Sequence, residues 1–145
     1  MNTTSAATAS AITFVWLGMV LGISFLEAPL KFRAPGVTVP IGLGIGRLVF
    51  RALNAVETAL AIAVIVAVAL GGAPVRVLGL TAGAAALLLA QLAFVRPRLN
   101  RRSDRVLAGE DAGDGPRSRG HFVYVALELL KVAVLIALGV CLLTA

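Results

Sequence analysis

Residues 53–95 read LNAVETALAIAVIVAVALGGAPVRVLGLTAGAAALLLAQLAFV. Two apolar runs, about Leu53 to Leu70 and about Val77 to Val95, flank Gly71-Gly72-Ala73-Pro74, a strong turn signal. Each approaches the roughly 20 residues of helix that cross a hydrocarbon layer about 30 Å thick. Neither alternates in polarity as a barrel strand would, so the pair predicts a tight antiparallel hairpin of two membrane helices. Two further runs of the same kind lie outside it, about Ala11 to Leu30 and about Phe122 to Leu143. The expected fold is an all-α membrane protein, one domain over residues 1–145, built as a four-transmembrane-helix bundle.

Composition excludes the soluble alternative. The AVILMFWYC set takes 59% of the 145 residues, with 15 glycines besides, and charged residues only 14%. Soluble domains reach roughly 45–50% apolar with glycine included and carry about 25% charge. A chain of this size could not hide so much apolar surface from water. The first ten residues, MNTTSAATAS, hold no lysine or arginine. The first run therefore reads as a span rather than a cleaved signal, preceded by a short tail or a fraying helix start.

The formal charge of +6 tracks the loops. Lys31, Arg33, Arg47 and Arg51 lie between the first two spans or at the start of the second. Arg96, Arg98, Arg101, Arg102, Arg105, Arg117 and Arg119 lie between the last two. Only Arg76 falls on the opposite side, and Lys131 lies within the fourth span. Such a bias places the basic loops in the cytoplasm and both termini outside a bacterial inner membrane. It points to membrane lipids, with anionic headgroups at the loop, rather than to nucleic acid. Residues 96–120, rich in arginine, acid, glycine and proline, read as a solvated cytoplasmic loop.

Cofactor chemistry is short of ligands. The chain has one histidine, His121, one cysteine, Cys141, and two methionines, Met1 and Met19, too few for a soft-metal or haem site of its own. There is no HExxH and no clustered nucleophile, so no cofactor and no enzyme activity are expected.

The informative residues are polar ones in apolar spans, each of which is costly there. Glu27 and Lys31 stack at i, i+4, with Pro29 between them removing a backbone donor. Pro40 suits the first turn of a long second helix. Along it, Arg47, Arg51, Asn54 and Thr58 share one face, flanked by Glu57, and that stripe is expected to face the other helices. Gln91 sits near the cytoplasmic end of the third span; His121 and Tyr124 open the fourth, with Glu128 and Lys131 at i, i+3. All of these fall in the cytoplasmic half, while the outer half is almost wholly apolar.

Two readings stay open. One is a neutralised clamp of Glu27, Arg47, Arg51, Glu57, Glu128 and Lys131; the other is a cytoplasm-facing cavity for an anion, a proton or a lipid headgroup. The leading functional expectation is transport of, or resistance to, a small solute or ion. The alternative is an assembly or structural subunit. Rows of small residues, Ala55-Ala59-Ala63-Ala67, Gly79-Gly83 and Gly42-Gly46, allow close packing of the bundle, a homo-oligomer or a membrane partner.

The run WLGMVLGISFLEAPLKFRAPGVTVPIGLGIGRLVFRALNAVE, Trp16 to Glu57, resembles small bacterial inner-membrane proteins with a FLEAPLKF-type motif. The layout is more distantly similar to the transmembrane protein 205-like and copper-resistance D-like membrane domains. Trp16, Gly18, Pro29, Phe32 and Phe50, the Arg96-Pro97-Arg98 step and His121 carry the likeness. The resemblance implies a four-helix membrane bundle.

Overall fold

The computed structural model describes residues 1–109 and 119–145. Four helices make it up: α1 (Thr3–Arg33), α2 (Val39–Gly71), α3 (Val75–Leu107) and α4 (Arg119–Leu143). All four are long and apolar enough to cross a membrane, and the described residues contain no strand. The protein is thus a multi-pass, all-α membrane bundle. α1 packs on α2 and α4, and α3 packs on α4 and α2, closing a ring of antiparallel neighbours. The first three helices have 31–33 residues, about 46–50 Å at 1.5 Å per residue, well beyond the hydrocarbon thickness.

Local chemistry sets the helix ends. Asn2 caps α1, its side chain accepting from the Ser5 N–H at 2.8 Å. The Asn2 N–H donates to the Gly71 carbonyl at 3.1 Å, tying the start of α1 to the end of α2. Gly71 permits this approach, because a Cβ there would stand 2.8 Å from that of Ser5. Gly72 then ends α2 in the left-handed region at φ 66°. The first ten residues are therefore neither tail nor fray: Ala6, Ala9 and Ser10 are already buried.

Two prolines shape the polar half. Residues Leu21–Glu27 of α1 and Gln91–Val95 of α3 form π-helical turns, just ahead of Pro29 and Pro97. A proline ring inside a helix collides with the carbonyl four residues back and offers that carbonyl no donor. The residue before each proline reaches one step further instead: Ala28 N–H bonds to Ile23 and Arg96 N–H to Gln91. The extra residue per turn re-aims the rest of the helix, and such bulges recur at functional sites.

The loop expected over 96–120 needs correction. α3 runs on to Leu107, with Val95 and Val106 buried and Leu99 and Arg102 half-buried between them, while Arg98, Arg101 and Arg105 are exposed. That one-sided spacing makes the first half of the segment an amphipathic helix. The remainder, through residue 118, lies outside the described residues.

The interior is layered. At the end holding the termini, Ala9, Val64, Val68, Val77, Leu138 and Leu142 form a wholly apolar layer. Trp16, Leu17, Val20, Ala61, Ala84, Leu88 and Leu135 form the next. The buried row of α2 is Leu53, Glu57, Ala61, Val64 and Val68, so the alanine row lies beside it, with Ala55 and Ala59 exposed. Gly79 also faces outward. Gly42 and Gly46 instead receive α1 side chains: a Cβ at Gly42 would collide with the Phe32 ring, and one at Gly46 would meet the Lys31 ammonium at 3.0 Å.

Gly139 shows how tight the α1–α4 seam is. A Cβ there would stand 2.7 Å from the Phe14 ring, whereas one at Gly18 would meet nothing within 4 Å. Gly139→Leu is expected to destabilise the bundle by about 1–3 kcal/mol through overpacking. Gly18→Leu, compared by thermal unfolding in the same detergent, should leave the midpoint unchanged or raised.

Candidate functional site: a charged network at the bundle centre

Each of the four helices sends polar side chains to one point midway along the bundle. Lys131 of α4 is its hub and is fully buried. Its ammonium donates to Glu57 Oε1 of α2 at 2.5 Å and to Gln91 Oε1 of α3 at 2.8 Å. It also pairs with Glu128 Oε1, one turn back on its own helix, at 3.3 Å. Trp16 of α1 donates its indole N–H to the same Glu57 oxygen at 2.8 Å. Gln91 turns its amide N–H to Glu128 Oε2 at 2.5 Å, and Ser24 of α1 donates to Glu128 Oε1 at 3.1 Å.

The site's geometry arises from the helix periods. Lys131 and Glu128 share a face by their i, i+3 spacing. Glu57 continues the apolar row of α2 (Leu53, Ala61, Val64), so the packing that buries that row buries Glu57 with it. Ser24 and Gln91 both come from the π-helical turns. Glu57 and Glu128 are each 1% exposed and Gln91 3%, so the charges are sealed from solvent. A buried ion pair survives only with its hydrogen-bonding groups satisfied, and here Trp16, Ser24 and Gln91 supply that.

Other polar residues descend from this hub toward the basic end. Tyr124 is buried, its ring edge-on to Phe50 at 5.9 Å. The Arg96 guanidinium lies over the same Phe50 ring at 4.2 Å and over Tyr124 at 5.1 Å. Lys31 adds its ammonium 5.5 Å from Phe50 and pairs with Glu27 at 3.4 Å. Last comes Arg47, paired with Asp104 at 2.5 Å across α2 and α3.

The single clamp of six charged residues does not form. Glu57, Glu128 and Lys131 meet, with Gln91; Glu27 and Lys31 pair separately; Arg47 takes Asp104 as its partner; Arg51 is exposed. Nor does the Arg47-Arg51-Asn54-Thr58 stripe face the bundle. Arg51 and Thr58 are exposed and Asn54 half-buried, because Leu53 and Glu57 take the inward face. His121 stands at the start of α4, edge-on to Phe122 at 6.0 Å and away from the hub.

Sequence reasoning missed Trp16, Ser24, Phe50, Arg96 and Asp104. Trp16 carried a signal: it sits deep within α1 rather than at a membrane interface, and a buried indole N–H needs an acceptor. Ser24 and Asp104 carried none, since their partners lie 104 and 57 residues away. Among the described residues, no three His, Cys, Asp or Glu side chains come together as a metal site. Comparison with protein-family models, curated proteins and solved structures finds no match to this chain.

Proposed function

We propose that the protein is a small carrier of the bacterial cytoplasmic membrane that binds a small cationic solute or ion, a proton included, at the Glu57–Glu128 pair. The observation that carries this reading is the charge count of the sealed hub: two carboxylates meet one ammonium. In a low-dielectric interior the remaining negative charge calls for a cation. The layer between the hub and the termini is wholly apolar, which supports entry of the ligand from the basic end, the cytoplasmic side in this reading, with both termini outside. Two proline-bordered π-helical turns beside the hub provide the joints for its opening.

The test is flux into proteoliposomes loaded with a pH-sensitive dye and challenged with sodium, potassium or tetramethylammonium. At least one challenge should move protons several-fold faster than in empty liposomes, and Glu57→Gln with Glu128→Gln should abolish the difference. Equal flux in wild type and empty liposomes for every challenge would overturn the proposal. A second reading, a structural subunit, draws support from the hub joining all four helices while fully enclosed. It gains if a partner co-purifies in fixed ratio through the exposed Ala55 and Ala59 face.

A further inference from the structure

Arg96 holds the most unusual polar group outside the hub. Two atoms of its guanidinium, Nε and Nη2, are buried and meet no acceptor among the described residues. Arginine stays charged in proteins, so these donors cannot be silenced by losing a proton. The stacking on Phe50 and Tyr124 engages the face of the guanidinium, not this edge. The Nε–Nη2 edge is the fork that grips two oxygens of a carboxylate or phosphate side by side.

The surroundings fit an anion. Lys31, its side chain 9% exposed, leans on the same Phe50 ring, and its one carboxylate among the described residues, Glu27, stands off at 3.4 Å. Gly46 leaves room for that ammonium against α2. Two cations and the Glu27 carboxylate thus stand around a shared aromatic ring, while Glu128, one turn beyond Tyr124 on α4, is held by the hub.

Depth narrows the ligand. Arg96 is the first residue beyond the apolar stretch Val77 to Val95 of α3. Nineteen residues span roughly 29 Å, the hydrocarbon thickness, so the fork sits where lipid phosphates lie. We propose that Arg96, with Lys31 beside it and Phe50 and Tyr124 as walls, binds a phosphate-type oxyanion at the cytoplasmic headgroup level. The inference stands apart from the carrier reading, because it uses none of Glu57, Glu128 or Lys131.

The experiment uses delipidated full-length protein in detergent, with two probes: dioleoyl phosphatidylglycerol, tracked as adducts by native mass spectrometry, and inorganic phosphate, tracked by thermal shift. Wild type should retain one of them, and Arg96→Gln should weaken it about tenfold or more, as loss of charge-assisted hydrogen bonds implies. Arg98→Gln, an exposed neighbour, should stay within about twofold of wild type. Arg96→Lys keeps the charge without the fork and should still bind several-fold more weakly, which serves if the glutamine variant does not fold. Lipid retention names the headgroup as the source; protection by phosphate alone names a free oxyanion, and both support the site. Failure of wild type to bind either probe, or equal binding by the Arg96 variants, would refute it.

Discussion

Lys131→Met is expected to lower the stability of the detergent-solubilised bundle by about 3–5 kcal/mol, the largest effect of any single substitution. The side chain is fully buried and serves Glu57, Glu128 and Gln91 together. Removing it leaves two carboxylates enclosed without their shared cation, so the loss measures their isolation rather than the worth of one ion pair. A triple variant, Lys131→Met with Glu57→Gln and Glu128→Gln, removes the orphaned charges and should recover most of the loss. Unfolding read by tryptophan fluorescence reports on both, because the only tryptophan, Trp16, touches Glu57. An unchanged Lys131→Met midpoint would mean that the three groups do not meet.

Trp16→Ala should come close behind, at about 3–5 kcal/mol, measured by circular dichroism because the substitution removes the fluorophore. Trp16 is the largest fully buried side chain and packs with Leu17, Val20, Ala61, Leu88 and Leu135. Alanine opens a cavity and withdraws the donor from Glu57. Trp16→Phe separates the two contributions: it keeps most of the volume and should cost about 1–3 kcal/mol for the acceptor left short of a partner. Equal losses for the two variants would show that packing contributes nothing there.

The spans were legible because four long apolar runs and a Gly-Gly-Ala-Pro turn leave few alternatives. The Glu128–Lys131 pairing was legible too, since i, i+3 neighbours on one helix need no tertiary information. The contacts joining them to the other helices were not. Glu57 meets Lys131 across 74 residues, and only the docking of α2 against the other helices decides that Glu57, not Arg51, points inward. The helical continuation of α3 was missed for another reason. Composition averaged over residues 96–120 hid Leu99 and Val106, which continue from Val95 along the sheltered side of the helix. The π-helical turns leave only their prolines in the sequence, and a proline there reads as a lost backbone donor when it also acts as a widening of the turn before it.

The helical continuation of α3 gives its arginines a bearing as well as a charge. Arg98, Arg101 and Arg105 look away from the bundle, while Arg102 and Val106 lie on the sheltered side. Deleting one residue between Gln91 and Arg96 would swing this comb by about 100° without altering the tally of positive groups. Insertion machinery that counts charge would see the same protein, but a lipid or a neighbouring helix that reads direction would meet a different one.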